Sequence, residues 1–511
     1  MAEKSADMAH EEYQTDLETR SKDSPIPTTL TAEDVFNRFD KEETRRIMRK
    51  IDFRLIPLLS VLYLMAFLDR SNIGNAKIAG MSEDLNLYGM RYNIALTVFF
   101  VPYALFEIPS NIVLKLLRPS IWISILCFCW GLVMTLMGLV TTYKGLVIAR
   151  FFLGMAEAGF FPAATFLLTI WYQRYEVQRR MAVFYASASL SGAFSGLLAY
   201  AIEKMDGVGG LAGWKWIFIL EGLLPVIVSF SLYFILPDDP QTASFLTPEE
   251  REFVVNRIAY QSGVGSGNIT NSDKMSKKYI IAGFSDWKVW MAIVPFLACS
   301  IGVYGFTATV PTVVRQLGYS SANAQLMTIP IYVAGMGTTL IAAWWSDRIQ
   351  QRTPFIMAGF TFAVVGFIGE LAIPHPKFPG VTYFFLFFIA IGLFSPFTCI
   401  VTLVANNSAP SSKRAVAMAV LISIGNLGGI CGSNVYFAAQ APRYPAGFGT
   451  GLGMCTAGII ASFILRKAYQ RENEKRDQLI VAEGEDTIRA RYSDEELMEL
   501  GDKSPFFRYT V

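Results

Sequence analysis

Four ionisable side chains interrupt stretches of sequence that are otherwise apolar. Asp69 and Arg70 are adjacent in LLSVLYLMAFLDRSNIGNA, and Arg150 and Glu157 lie seven residues apart in ARFFLGMAEAGFFP. Ionised groups in a bilayer cost several kcal/mol each, so they face the protein interior or a water-filled cavity and pair with one another. These residues therefore predict an interior site of opposite charges in a membrane protein.

The spacing of the four residues along their helices indicates which of them can meet. With a rise of about 1.5 Å per residue, Asp69 lies roughly 22 Å along the first predicted span, and Arg150 reaches a similar level from the other direction. Glu157 lies about two turns, or 10 Å, beyond Arg150 on the same helical face. An Asp69–Arg150 pair and an Arg70–Glu157 pair are therefore both compatible with the sequence.

These side chains have the chemistry of a proton-coupled anion site. A buried carboxyl group takes up or releases a proton when its surroundings change, which assigns Asp69 and Glu157 to proton coupling. The guanidinium fork binds a carboxylate through two parallel hydrogen bonds and keeps its charge, which assigns Arg70 and Arg150 to substrate binding. The alternative is that the four residues only join the first and fourth helices.

Further polar and aromatic side chains within apolar segments are candidates for the wall of a substrate cavity. Each of them could instead serve helix packing. The candidates for substrate binding are Asn72, Tyr304, Tyr332, Phe394 and Asn426.

The composition is that of a polytopic membrane protein. Of 511 residues, 53% are hydrophobic and 17% are charged, and a helix needs about 20 apolar residues to cross the hydrocarbon core. We predict an all-α fold with about 12 transmembrane helices in two six-helix bundles. The predicted spans are 54–76, 93–115, 121–140, 146–170, 181–202, 216–236, 288–312, 324–345, 354–373, 381–404, 414–436 and 447–467.

A polar stretch between the sixth and seventh spans divides the chain into two halves. It contains the Gly/Ser-rich sequence QSGVGSGNITNS, followed by KMSKK. Both ends of the chain are charged and are expected to be mobile extensions. The predicted domains are an N-terminal tail (1–53), a first bundle (54–236), a linker (237–287), a second bundle (288–467) and a C-terminal tail (468–511).

Basic residues indicate how the chain is oriented. They flank the predicted spans mainly on the side of the linker, and positively charged loops stay in the cytosol. We therefore expect a multi-pass protein with both termini in the cytosol. The residues that carry this asymmetry are Arg45, Arg46, Arg49, Lys50, Arg54, Arg174, Arg179, Arg180, Arg348, Arg352, Lys413, Arg414, Arg466 and Lys467.

The composition also excludes several classes of function. A net charge of +2 does not favour binding to nucleic acid. The two histidines, His10 and His375, fall in the N-terminal tail and in an outer loop, and the sequence places no nucleophile–base or metal-ligand set beside them. We expect no enzyme activity, no cofactor and no metal site. The expected partners of this monomer are a small organic anion, protons and the lipid bilayer.

Several motifs resemble the major facilitator superfamily. They are WWSDRIQQR at 344–352, the Arg150-x-x-x-Gly154 start of the fourth span, and GWKWIF at 213–218. Within that superfamily, other segments are similar to the fungal anion:cation symporters, a group with allantoate, nicotinate, pantothenate and biotin permeases. These segments are LDRSNIGNA at 68–76, FEIPSN at 106–111, and residues 150–162 and 413–429. The resemblance covers about residues 45 to 470.

The resemblance implies a symporter in the plasma membrane that uses protons to import a small organic carboxylate, such as nicotinate, another vitamin acid or allantoate. It gives Asp69 and Glu157 the protonatable roles. Arg70 and Arg150 would hold these carboxyl groups or the substrate carboxylate.

One departure from the superfamily concerns the cytosolic gate. The loop KLLRP at 115–119 lacks the Gly-x-x-x-Asp-Arg pattern that is usual after the second span. We therefore expect the gate between the bundles to be formed by Asp347, Arg348 and Arg352.

Two other functions are alternatives. One is a metabolite or drug exporter of the same superfamily, although the fifth span has SGAFSG at 191–196 without the Gly-Pro pattern that exporters often carry. The other is a nutrient sensor that does not transport, against which the intact set of buried charges argues.

Overall fold

The computed structural model describes residues 39–261, 277–374, 377–493, 496–497 and 500–511. Most of the predicted N-terminal tail, including His10, lies outside the described residues, as do the Gly/Ser-rich part of the linker and His375.

Twelve helices of the described residues are long and apolar enough to cross a membrane, as the sequence predicts. Several of them contain prolines, which membrane helices tolerate because Ser and Thr side chains and neighbouring helices satisfy the freed backbone groups. In chain order the helices are α1 (Lys41–Ala76), α2 (Arg91–Leu116), α3 (Pro119–Met137), α4 (Tyr143–Glu157, continued by Phe160–Trp171), α5 (Arg174–Glu203), α6 (Gly213–Ile235), α7 (Trp287–Gln316), α8 (Ser321–Ile349), α9 (Thr353–Ala372), α10 (Pro379–Asn407), α11 (Ser411–Asn426, continued by Gly428–Asn434) and α12 (Pro445–Glu483).

The first helix begins earlier than its apolar run. Asp40 and Glu43 form a capping box at its start, in which each side chain accepts a hydrogen bond from the backbone N–H of the other residue. Ile47, Met48 and Ile51, which follow the cap, are buried in the first bundle. The predicted tail boundary at residue 53 therefore lies inside α1.

Each half of the chain has its own hydrophobic core. The core of the first half is built mainly from residues between 47 and 258 and contains the fully buried Trp130, Trp171 and Trp214. The core of the second half is built mainly from residues between 289 and 511. Because six membrane helices contribute to each core, the described residues form two six-helix bundles.

The two bundles pack closely where glycines and short polar side chains face the partner bundle. A Cβ atom added at Gly192 of α5 would lie 2.6 Å from the ring of Tyr332 in α8, so a larger residue would push these helices apart. On the other side of the molecule, the amide of Asn93 in α2 donates a 2.6 Å hydrogen bond to the carbonyl oxygen of Ser433 in α11. The contacts of α5 with α8 and of α2 with α11 thus join the bundles.

The linker helix Pro248–Gln261 packs against the first bundle. Lys50 Nζ lies 2.5 Å from Glu250 Oε1, and Arg257 Nη2 lies 2.8 Å from Glu176 Oε1. These ion pairs hold the helix against the starts of α1 and α5. We call this end of the molecule, which also carries the second linker helix, Lys277–Ser285, the linker side.

The C-terminal residues 500–511 pack on the linker side of the second bundle. Tyr509 is 4% exposed, and its hydroxyl accepts a 2.7 Å hydrogen bond from Lys288. Lys413 lies 2.7 Å from Asp502, and Arg476 donates a 2.6 Å hydrogen bond to the carbonyl oxygen of Phe507. The expectation of a mobile C-terminal extension is therefore wrong for these residues, because buried ion pairs and hydrogen bonds hold them.

Candidate functional site

A central cavity lies where the two bundles meet. Its free volume is about 30 Å³, which is room for about two water molecules. A larger ligand can therefore enter only when the bundles move. The cavity is lined by Tyr63, Ala66, Phe67, Arg70, Tyr103, Glu157, Phe160, Phe161, Tyr185, Phe296, Cys299, Ser300, Val303, Tyr304, Phe397, Ile422 and Asn426.

One ion pair lies in the wall of this cavity. Arg70 Nη2 of α1 is 2.6 Å from Glu157 Oε1 of α4, and the Glu157 side chain is 2% exposed. The guanidinium of Arg70 therefore balances the charge of Glu157 at the wall of the cavity.

Arg70 also contacts the second bundle. Its Nη1 donates a 2.9 Å hydrogen bond to the hydroxyl of Tyr304 in α7. The guanidinium carbon lies 4.8 Å from the ring centroid of Phe67 and 5.1 Å from that of Tyr103. Aromatic faces stabilise a cation without neutralising it. Arg70 is thus held in place, and the anion that its charge meets in this structure is Glu157.

Asp69 and Arg150 do not line the cavity. Each is 2% exposed, and within the described residues they form no ion pair within 4.0 Å. Asp69 interacts electrostatically with Glu157, Glu221, Arg150 and Arg70. Of the two pairings that the sequence allows, the structure therefore forms Arg70–Glu157.

Asn72 faces away from the cavity, into a polar network of the first bundle. Its amide donates a 2.5 Å hydrogen bond to Glu221 Oε2 of α6, and its amide oxygen accepts a 2.9 Å hydrogen bond from Ser195 of α5. Asn75 donates a 2.6 Å hydrogen bond to the Ser195 hydroxyl. Glu221 is not among the residues predicted from the sequence, although an acidic residue inside GWKWIFILEGLLPVIV is the same signal that identified Glu157.

The other predicted substrate-binding residues divide into two groups. Tyr304 and Asn426 line the central cavity. Tyr332 and Phe394 pack against each other with ring centroids 6.1 Å apart, and Tyr332 also faces Gly192. In this state, Tyr332 and Phe394 therefore join helices and do not face the cavity.

A pair of stacked rings separates the central cavity from a second one on the linker side. The rings of Tyr185 in α5 and Phe397 in α10 have centroids 3.8 Å apart and an interplanar angle of 5°. Both residues line both cavities, and Asp347 and Arg352 line the second one. The stacked rings, which we call the aromatic barrier, close the central cavity towards the linker side.

The residues predicted as a gate lie near this second cavity. Asp347 Oδ1 is 2.5 Å from Arg352 Nη2, and Arg352 Nη1 donates a 2.5 Å hydrogen bond to Ser346. The guanidinium of Arg348 lies over the ring of Trp344. These contacts all lie within the second bundle, because the short turn between α8 and α9 brings residues 347 and 352 together. They fix that turn.

A family model of the Major Facilitator Superfamily matches residues 59–433. An MFS-type transporter, cnsO, of Penicillium expansum is 37% identical over 485 residues, which are 93% of this chain and 92% of that protein. The high-affinity nicotinic acid transporter of Saccharomyces cerevisiae is 30% identical over 484 residues, which are 95% of this chain and 88% of that protein.

Solved transporter structures have a similar fold. The xylose transporter XylE from E. coli, in a partially occluded inward open conformation, aligns with a TM-score of 0.61 and 14% identity over 81% of this chain and 97% of that one. A bacterial homolog of the human lysosomal transporter Spinster aligns with a TM-score of 0.60 and 16% identity over 81% of this chain and 96% of that one.

Proposed function

This chain belongs to the Major Facilitator Superfamily, and we propose that it is a proton-coupled symporter that imports a small organic carboxylate, such as nicotinate, another vitamin acid or allantoate. One observation carries the proposal: the ion pair of Arg70 and Glu157 in the wall of the central cavity. The name of one relative, a nicotinic acid transporter, supports the class of substrate.

A substrate carboxylate and Glu157 compete for the same guanidinium. The substrate can take Arg70 only if Glu157 gives it up, and a buried carboxylate that loses its cation is an unpaired charge, which costs several kcal/mol. A proton on Glu157 removes that cost. Binding of the anion and binding of the proton therefore favour each other, which is the thermodynamic requirement for symport.

The same competition explains why neither ligand should cross alone. The empty site holds one guanidinium and one carboxylate, and the loaded site holds one guanidinium, one bound anion and a protonated Glu157, so both have zero net charge. A proton alone leaves the site with a net charge of +1, and an anion alone leaves it at −1. Burying either net charge between the closed bundles is costly.

The remaining residues of the site fit a flat organic acid. Nine of the lining residues are aromatic, and such rings can stack on a ring of the substrate. We propose that Tyr304 and Asn426 form hydrogen bonds with the substrate. Asp69 is assigned the second protonatable role, and Arg150 balances its charge, because Asp69 interacts electrostatically with both Glu157 and Arg150.

The proposed orientation places the linker side in the cytosol, and the membrane is the plasma membrane. Arg45, Arg46, Arg49 and Lys50 at the start of α1 support the orientation, because clusters of basic residues next to a span favour the cytosolic side. The second cavity, beyond the aromatic barrier, then leads to the cytosol. In this orientation the packed outer ends of the bundles close the central cavity towards the outside.

The test is uptake of radiolabelled nicotinate, pantothenate, biotin and allantoate by cells that express the chain, with and without a proton gradient. The wild-type chain should accumulate one of these acids, and a protonophore should abolish the accumulation. Glu157→Gln keeps the shape of the side chain but binds no proton, so it should exchange labelled for unlabelled substrate without accumulating it.

The matched control is Glu370→Gln. Glu370 of α9 is another buried carboxyl group within a span, 1% exposed, and it does not line the central cavity. This variant should accumulate substrate like the wild type. Full accumulation by Glu157→Gln would remove Glu157 from the coupling mechanism, and equal competition by the amide of the substrate would contradict an anionic substrate.

A further inference from the structure

A cleft opens on the linker side between the ends of α1 and α5. Its volume is about 660 Å³. We infer that this cleft binds an anionic phospholipid of the adjacent leaflet, with the lipid phosphate at Arg45 and Arg49 and an acyl chain along the apolar surface next to them. The residues that line it are Arg45, Met48, Arg49, Asp52, Phe53, Ile56, Pro57, Arg180 and Val183.

The cleft carries positive charge that the described part of the protein does not balance. Arg180 is used by the protein itself, since its Nε and Nη2 donate hydrogen bonds of 2.6 and 3.0 Å to the two carboxylate oxygens of Asp52. Its guanidinium also lies 4.0 Å from the ring centroid of Tyr172. Asp52 is thus neutralised within the fold.

Within the described residues, the side chains of Arg45 and Arg49 have no such partner. Both residues are exposed, and neither side chain forms an ion pair or a hydrogen bond with that part of the chain. They are four residues apart, so they project from the same face of α1. A neighbouring cation on this helix, Lys50, is bound to Glu250 of the linker helix. The cleft therefore presents two adjacent guanidinium groups that a phosphate can bridge.

An apolar surface continues from these arginines. Phe53 is 80% exposed and Val183 is 44% exposed, and both line the cleft beside Ile56 and Pro57. Arg49 lies about 6 Å and Arg45 about 12 Å from Phe53 along α1. The headgroup region of a leaflet has a thickness of about 5 to 8 Å. A ligand that uses the whole cleft has an anionic head and a hydrocarbon chain, which is the chemistry of an anionic phospholipid and not of a soluble anion.

The experiment measures which lipids stay bound to the purified full chain. Protein is reconstituted into vesicles of phosphatidylcholine that contain phosphatidylserine, extracted in mild detergent, and analysed by native mass spectrometry. The wild-type chain should retain phosphatidylserine in preference to phosphatidylcholine. The double variant R45Q/R49Q should bind phosphatidylserine roughly thirtyfold more weakly, as expected for two lost contacts between arginine and an anionic leaflet.

Two further variants separate a defined site from general attraction. R466Q/K467Q removes the same number of charges at the linker-side end of α12, outside this cleft, and should keep wild-type retention. R45K/R49K keeps both charges and should also retain the lipid. If R45Q/R49Q folds poorly, the single variant Arg49→Gln should bind phosphatidylserine about fivefold more weakly than the wild type.

Three results would overturn the inference. One is an equal loss of phosphatidylserine from R466Q/K467Q, which would show general electrostatic attraction. Another is equal retention of phosphatidylcholine by the wild-type chain. The third is binding of glycerophosphoserine, which has the headgroup without acyl chains, as tightly as the lipid, since the cleft would then be a site for soluble anions.

Discussion

The aromatic barrier predicts that Phe397→Leu opens the central cavity towards the linker side. Leucine keeps most of the volume of the side chain but removes the ring that stacks on Tyr185. Phe397 also contacts Phe296, with centroids 4.9 Å apart, but both of these residues belong to the second bundle. Opening the cavity separates the bundles, so of these two ring contacts only the one with Tyr185 is lost in that step.

The magnitude follows from this single contact. An aromatic pair is worth about 0.5 to 1.5 kcal/mol beyond its buried area. Because about 1.4 kcal/mol corresponds to a factor of ten, the fraction of molecules open to the linker side should rise roughly 2- to 12-fold. Tyr185→Leu removes the same contact from the other bundle and should have an effect of similar size.

Two native cysteines serve as reporters for this change. Cys299 lines the central cavity, and Cys399 lines the second cavity on the far side of the barrier. The rate at which N-ethylmaleimide labels Cys299, measured by peptide mass spectrometry on the purified protein, should rise by the factor above in Phe397→Leu. The rate at Cys399 should change much less, since that thiol lies outside the barrier.

Phe387→Leu is the matched control, because Phe387 lies on the same helix and packs against Tyr383, away from the barrier. It should leave labelling of Cys299 unchanged. An unchanged Cys299 rate in Phe397→Leu, or equal increases at Cys299 and Cys399, would refute the assignment of the two rings as the closure of the cavity.

Three other predictions follow from single contacts. Arg70→Lys keeps a positive charge near Glu157 but cannot bind the substrate carboxylate through two parallel hydrogen bonds. The KM for uptake should therefore rise at least about tenfold while surface abundance stays normal. An unchanged KM would exclude Arg70 from binding the substrate. Burial alone would raise the pKa of the Asp286 carboxyl, but the hydrogen bond and charge of Lys413 hold this pKa below its usual value. The stabilisation is therefore present above about pH 4 and is lost as the pH falls further. Asp286→Asn should lower the free energy of unfolding by about 1 kcal/mol at pH 7 and should make the melting temperature less dependent on pH in the acidic range. Parallel pH profiles of the melting temperature for the variant and the wild type would contradict this. Gly192→Leu should reduce transport more than protein abundance, because its side chain would meet a ring of the facing bundle 2.6 Å away, whereas Gly449→Leu, with nothing within 4 Å, should be tolerated.

The number and position of the membrane helices could be predicted because a bilayer sets a minimum apolar length. Helix ends were less accurate where they lie outside that constraint. The start of α1 depends on the capping box of Asp40 and Glu43, and the end of α12 continues through charged sequence to Glu483. The apolar part of α12 ends near residue 467. The rest of the helix is largely exposed to water, so apolar runs in the sequence do not reveal it.

The packed C-terminal residues could not be predicted for a different reason. Asp502 and Tyr509 lie in a charged segment whose composition is typical of a solvated tail. Their burial depends on individual partners, Lys413 for Asp502 and Lys288 for Tyr509, which lie far away in the sequence. Composition records how many charges a segment has, but it does not record whether each charge meets a partner.

The charged site shows the same limit at the scale of one helical turn. The rise per residue determines depth, and by depth alone both Asp69 and Arg70 can reach the fourth helix. Direction around the helix separates them, because adjacent residues differ by about 100°. Arg70 faces the cavity and Glu157, whereas Asp69 faces the interior of the first bundle, and Asn72, about 200° from Arg70, points to Glu221. Depth therefore predicted which residues could form the site, and the packing of α1 against its neighbours decided which of them lines the central cavity.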